Sequence, residues 1–421
     1  MPSVFTPYQK FVVAVLAFLQ FTIILDFMII SPLGALLLRE LHISTRQFGL
    51  VVSVYAFSAG ASGLLAAGFA DKFDRKKLLL FFYAGFLLGT LLCGMATSYR
   101  FLLAARIVTG LFGGVIGSIV MAIVADLFPF EVRGRVMGTL QTAFGASQVM
   151  GLPLGVFLST HWGWHAPFIM IFVLGVPAGL LIAMRLQPIT EHLKVPAKGN
   201  ALAHVLATVN QGRYLRTFLA TTLLATGGFM LMPFGSTFTV NNMGIPFEQF
   251  QLIYFTTGLV TLFAGPLLGK VADTIGKYKL FVIGSLSGAA IVGVYCHLGL
   301  TPLAAVLVIN ALLFVAVTSR MISASAIISG VPDLQDRGAF MSVNAALQQF
   351  SGGVASAAAG LIVVQASDGR LLRYDVLGYV VMTAMMLVVA LMYPINRAVM
   401  AKTAAAKPAA MPVPVEAPAA E

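Results

Sequence analysis

The chain has 421 residues, 59% of them hydrophobic and 10% charged, with a mean hydropathy of +0.94. Soluble globular proteins carry about 25% charged residues, so this chain cannot cover a water-facing surface, and a soluble multidomain enzyme is excluded. The net charge of +11 reads as membrane orientation rather than nucleic-acid binding, because lysine and arginine collect on cytoplasmic loops.

A helix crosses a bilayer with about 20 mostly apolar residues. Apolar runs between charged or turn-rich breaks give twelve segments: 11–38, 47–70, 78–97, 101–125, 136–158, 166–186, 214–240, 251–272, 280–298, 303–328, 339–364 and 376–395. They must be helices, since open backbone in lipid leaves hydrogen-bonding groups unpaired. The first run is too long for a signal peptide and ends in no small-residue cleavage site, so it reads as a retained span. With the N-terminus inside, eighteen basic residues fall on the cytoplasmic side and five (Arg39, Arg46, Arg100, Arg370 and Arg373) outside. Both termini are therefore expected to be cytoplasmic, in a plasma (inner) membrane.

In the first span, Asp26 is the one acid clearly inside an apolar run, with Thr22 a turn away on the same face. A lone carboxylate in hydrocarbon costs several kcal/mol, on the order of the insertion penalty for a charge, so it should face a cavity and have a partner. Arg106 on span four is the natural partner, because both residues fall in the outer half of the bilayer. A carboxyl balanced between burial and an adjacent guanidinium can load and release a proton.

The loop after span two reads Ala67-Gly68-Phe69-Ala70-Asp71-Lys72-Phe73-Asp74-Arg75-Lys76-Lys77. The same place in the second half reads "ADTIGKYKLFV" from Ala272, so Asp71 and Asp273 lie 202 residues apart. "VADLFPFEVRGRVMG" at Val124 is echoed by "VPDLQDRGAFMS" at Val331, which sets Arg133 and Arg337 204 residues apart. Two echoes at nearly one offset indicate paired halves, which commonly bind substrate at their interface and rock about it. The halves are expected at 1–186 and 214–397, joined by a linker at 187–213 whose stretch 201–209 suits a short interfacial helix. A low-complexity, disordered tail is expected at 398–421.

The span-two loop resembles the signature of the major facilitator superfamily. Asp71, Arg75 and Lys76 match it, Ala67 and Asp74 stand where glycines are usual, and the second half keeps Gly269, Asp273, Gly276 and Lys277. The resemblance implies an all-α membrane protein with twelve transmembrane helices in two pseudo-symmetric six-helix bundles. It also implies a cytoplasmic gate of Asp71, Arg75, Lys76, Asp126, Asp273, Lys277 and Asp333. In the family the loop acid caps a helix of the opposite half, and the arginine pairs with an acid at the end of span four, here Asp126. Arg106-x-x-x-Gly110-x-x-Gly113-Gly114-x-x-Gly117 resembles the span-four signature of proton-driven members. Gly145, Gly151, Pro153 and Gly155 on span five look like the bending helix of antiporters.

Other polar residues inside spans are candidates for the cavity wall: Gln20, Tyr55, Gln141, Gln148, Thr222, Thr226, Asn310, Arg320, Asn344 and Gln348. Any one of them is more readily a helix-to-helix hydrogen bond than a substrate ligand. Arg320 has no intramembrane acid in its own half and so faces an anionic substrate group or water. Small residues line span two (Ala56, Gly60, Ala67) and span eleven (Gly352, Gly353, Ser356, Gly360), which allows close approach.

Cys93 and Cys296 each sit in an apolar run and form no disulfide framework. His161-x-x-x-His165 lacks a third metal ligand, and the scattered methionines read as apolar filler. No metal, cofactor, P-loop or catalytic motif is present, so a gradient must supply the energy. The expected function is proton-coupled export of a small drug-like or sugar-like solute by a monomer. A proton-coupled uptake permease and, further off, a non-transporting membrane sensor of the same fold are the alternatives.

Overall fold

A computed structural model describes residues 5–66, 72–194, 207–333 and 336–405. The first half contains α1 (Pro7–Ile29), α2 (Gly34–Glu40), α3 (Thr45–Ala66), α4 (Arg75–Gly94), α5 (Tyr99–Leu127), α6 (Phe130–Ala146), α7 (Leu152–Trp162) and α8 (Ala166–Arg185). The second contains α9 (Gly212–Asn241), α10 (Phe250–Ile275), α11 (Lys277–Tyr295), α12 (Leu303–Ile328), α13 (Arg337–Ile362) and α14 (Tyr374–Ala405). A short antiparallel pair, β1 (Val364–Gln365) with β2 (Leu371–Leu372), joins α13 to α14.

Local chemistry sets the helix starts. Thr6 and Gln9 form a reciprocal capping box at α1, Asp74 caps α4 through the Lys76 amide, and Ser98 caps α5. The first predicted segment is broken. The chain turns over residues 30–33, around Pro32, before α2 resumes, because proline cannot donate to an ongoing helix. Span five is also divided. A π-helical turn at Ser147–Gly151 separates α6 from α7, two residues before Pro153, whose missing amide frees a carbonyl one turn back.

Eleven helical segments among the described residues, with α6, the π-helical turn and α7 taken as one, are long and apolar enough to cross a bilayer. The remaining segment of the twelve, α13, is long enough but not apolar enough, since Asn344, Gln348, Gln349, Ser351 and Ser356 interrupt it. It packs along α3 and α9 and so owes little of its surface to lipid. The last helix runs to Ala405, past the expected start of the tail at 398, and residues 406–421 lie outside the described ones. Of the expected linker helix at 201–209, residues 207–209 are helical and 201–206 lie outside the described residues.

The buried apolar residues show how the halves meet. One cluster takes the ends of helices away from the termini and draws on both halves, from Leu25–Ile29 and Phe48–Val52 to Met230, Phe234 and Ala355–Val363. At the end that carries the termini the core is divided in two. One cluster is built from Val12, Leu79, Ile119 and Ile182 of the first half, the other from Tyr214, Phe281, Phe340 and Val388 of the second. The halves are therefore sealed together at one end and cored separately at the other.

Candidate functional site

The seal is built by close backbone approach and by hydrogen bonds. A Cβ on Gly49 of α3 would stand 2.8 Å from the Ser356 carbonyl of α13, and one on Gly360 would stand 2.8 Å from the Thr45 carbonyl. Thr45 Oγ1 donates to the Val363 carbonyl at 2.7 Å. In the α1–α2 break, Ser31 donates to the Met232 carbonyl, and Ser236 Oγ donates to the Ser31 carbonyl at 2.7 Å. Phe27 meets Phe229, and Phe48 meets Phe234 edge-on. The void left between Phe27, Ser31, Val52, Phe229 and Pro233 is about 10 Å³, room for one water at most.

Just beneath this seal, in the first half, lies the ion pair. Arg106 Nη1 donates to Asp26 Oδ2 at 2.9 Å and to the Asp26 carbonyl at 3.4 Å. Thr90 Oγ1 of α4 donates to the other carboxylate oxygen, Oδ1, at 3.1 Å. The guanidinium carbon lies 4.4 Å over the ring of Tyr55 on α3. Four helices thus converge on one pair of opposite charges. Thr22 turns aside, donating to the Leu19 carbonyl and meeting the Tyr83 hydroxyl.

Both side chains of the pair are fully buried. The sequence places Asp26 on a cavity; the structure corrects this for the conformation described, in which the carboxylate faces Arg106 and Thr90 and touches no solvent. The reason is internal neutralisation: two charges taken out of water together cost far less than one alone. Arg106 Nε and Nη2 nevertheless have no hydrogen-bond partner among the described residues.

The remaining cavity candidates do not converge. Thr221 Oγ1 donates to Asn344 Oδ1 at 2.6 Å, bonding α9 to α13. Asn310 donates back to the Val306 carbonyl of its own helix. Gln20 and Gln348 are half-buried, and nothing is described of the Gln141 side chain. Arg320 is buried in the second half, with Nε donating to Ser285 Oγ at 3.1 Å. On span five, a Cβ on Gly151 would meet Leu25, and one on Gly155 would meet Ile29, so those glycines seat α7 against α1. Gly145 lies opposite Leu262 of α10, and Pro153 follows the π-helical turn.

At the end that carries the termini, Arg75 Nε meets Asp126 Oδ2 at 3.2 Å. Lys76 Nζ donates to the Ala183 carbonyl. Asp71 lies outside the described residues. Asp74, which replaces a glycine, accepts from the amides of Lys76 and Ile189 and so ties the stretch after α8 to the start of α4. The second half does not copy this arrangement. Asp273 and Lys277 are exposed and enter no ion pair among the described residues. Asp333, whose place in the repeat answers to Asp126, pairs with Arg213 of α9 at 2.5 Å and Lys402 of α14 at 2.8 Å. Hydrogen bonds from Lys402 and then Arg213 pull its carboxyl below the ordinary range. Arg213 also holds Asp336, which accepts from Tyr214 at 2.8 Å. Asp336 is the N-cap residue of α13, and among the described residues its side chain makes no capping hydrogen bond to that helix.

The two histidines have separate partners: His161 bonds the Phe157 carbonyl and His165 the Ala96 carbonyl. Thr90 and the capping role of Asp74 are the contributors that sequence reasoning missed, whereas Tyr55, a cavity-wall candidate in the sequence, lies under the Arg106 guanidinium. A threonine in an apolar run was the available signal for Thr90.

Comparison with known proteins adds to this geometry. The family model described as Major Facilitator Superfamily matches residues 16–216 and again 217–418. An MFS-type transporter of Bacillus subtilis, YceJ, is 27% identical over 269 residues, 63% of this chain and 68% of its own length. The multidrug resistance protein MdtG of Klebsiella pneumoniae is 28% identical over 272 residues, 61% of this chain and 64% of its own. This chain spans less than two thirds of the length of several relatives it matches. A bacterial homolog of the human lysosomal transporter Spinster, solved inward-facing and unoccupied, superposes with a TM-score of 0.69. That match is 15% identical and covers 95% of this chain and 98% of the other.

Proposed function

Since the chain belongs to the major facilitator superfamily, and is thus a multi-pass membrane transporter rather than an enzyme, we propose that it exports a small organic solute in exchange for protons. The observation that carries the proton role is the Asp26–Arg106 pair, 2.9 Å apart and without exposed surface. Ionisable residues inside a membrane are functional by default. Multidrug-resistance relatives such as MdtG favour export.

The coupling follows from charge. Protonating Asp26 would leave the Arg106 cation buried and unpaired, and breaking one member of a buried pair costs about 3–5 kcal/mol. One proton crossing 100 mV supplies about 2.3 kcal/mol. The cost exceeds what one proton supplies at that potential, so Arg106 must reach water or another anion as the carboxyl takes its proton. Arg106 rests on Tyr55 of α3, and α3 forms the seal with α13. Release of the guanidinium thus acts on the helix that holds the halves together.

With the termini cytoplasmic, as the placement of basic residues favours, the sealed end is the outer one and the conformation is open inward. Arg75 and Asp126 lie within one half in this state. The uncapped start of α13 suits a carboxylate from the first half, namely Asp71, in the outward-open state. Asp273 and Lys277 would gain partners, and Asp333 would change its own, at the same step. The bend at Gly145–Gly155 would let span five follow α1 as the halves rock. The bundles act as units 1–186 and 214–397 in a monomer. The test is solute flux in proteoliposomes with an imposed pH gradient, comparing the wild type with Asp26→Asn. Abolished coupling supports the reading, and unchanged coupling removes it.

A further inference from the structure

The second half holds a charge that the proton site does not use. Arg320, two thirds of the way along α12, is 4% exposed, and no carboxylate pairs with it among the described residues. Its Nε reaches Ser285 Oγ of α11, while Nη2 has no hydrogen-bond partner among the described residues. Ser323 follows at i+3 on the same face, is fully buried, and its hydroxyl likewise has no partner. Glycines make the room. Gly284 of α11 admits the Arg320 stem, and Gly227 of α9 faces Nη1, where a Cβ would stand 3.9 Å away in ordinary contact.

The two halves thus differ in kind. Arg106 is neutralised by Asp26, whereas Arg320 is a buried cation beside a second orphan donor. Burying a charge without a counter-charge is far costlier than burying a hydroxyl, and a water molecule would satisfy the hydrogen bonds but not the charge.

We propose that Arg320, with Ser323 and Ser285, is a binding site for a single negative charge: a halide ion, or the carboxylate end of the transported solute. One guanidinium matches one monoanion, and the Arg–carboxylate fork supplies directional bonds. The halide arm is independent of the transport reading. The solute arm rests on it.

The test is the melting temperature of the full-length protein in detergent, titrated with sodium chloride, acetate or benzoate, for wild type, Arg320→Gln and Gly227→Asp. A ligand that binds only the folded state raises the melting temperature with saturation, and general salt effects cancel between the three proteins. The expected result is a saturable rise in wild type and at least a tenfold weaker apparent affinity in Arg320→Gln. Gly227→Asp should not respond, because its own carboxylate occupies the guanidinium. In a buffer without small monoanions, Arg320→Gln should melt no lower than wild type. Saturation by chloride identifies a free ion, and saturation by acetate or benzoate alone identifies a solute carboxylate. Equal anion dependence in all three proteins, or none in wild type, overturns the site. No gradient is involved, so this outcome is separate from that of the proton-coupling test.

Discussion

Arg106 on α5 holds Asp26 on α1 by a 2.9 Å charge-assisted hydrogen bond while its guanidinium lies 4.4 Å over the Tyr55 ring on α3. One cation therefore connects a carboxylate to the helix that builds the interface between the halves.

The pair should behave as a unit in stability. Asp26→Asn or Arg106→Gln alone leaves a buried charge without its partner and should cost about 3–5 kcal/mol. The neutral double variant Asp26→Asn/Arg106→Gln should recover most of that loss. Chemical or thermal unfolding of the four proteins in detergent closes the cycle, and additive losses would show that the two side chains are not coupled.

Tyr55 should matter through its ring. Tyr55→Phe keeps the cation–π contact and should melt near wild type. Tyr55→Leu should lose about 0.5–2 kcal/mol, the range for a desolvated contact of this kind. Equal losses in both variants would assign the effect to the hydroxyl instead.

The seal depends on the absence of side chains at Gly49 and Gly360. A Cβ at either stands 2.8 Å from backbone oxygen of the facing helix, so Gly49→Ala or Gly360→Ala forces α3 and α13 apart. Each should shift the population toward the conformation open at this end. Labelling of a cysteine at Ser31 by a membrane-impermeant maleimide should rise several-fold in these backgrounds. Unchanged labelling would place the moving contact elsewhere.

Much of this was legible in the sequence, for identifiable reasons. Long apolar runs marked the helices because an unbroken run of about 20 apolar residues pairs its own backbone in lipid only as a helix, and Asp26 pointed to Arg106 because an intramembrane acid requires a cation. The α1–α2 break was legible only as Pro32 inside a run, since apolarity continues through it. The partners of Asp333 were not legible. The repeat puts Lys277 where Arg75 stands, yet Arg213 and Lys402, more than 65 residues away on either side, take the carboxylate through tertiary packing. Full burial of Asp26 was also hidden, because a sequence carries no information on which state of a rocking pair is populated.

The Asp333 cluster should give a stability contribution with a definite pH window. Its carboxyl is lower in the folded state than in the unfolded one. The contribution is therefore complete above the ordinary aspartate value of about 3.9 and disappears as pH falls through the lower folded value. Asp333→Asn should lower the melting temperature at pH 7 and lose its effect in strong acid, with salt narrowing the difference. A pH-independent difference would mean that packing rather than charge is responsible.

The proton role of Asp26 is tested most directly in acid-interior inside-out vesicles containing a pH-sensitive amine dye, with ethidium and benzoate as probe solutes. For wild type, adding a transported probe should dequench the dye as protons leave in exchange, and Asp26→Asn should give no dequenching at any pH while reaching the membrane in equal amount. Dequenching by Asp26→Asn at the wild-type rate, with the wild-type pH dependence, would contradict the account.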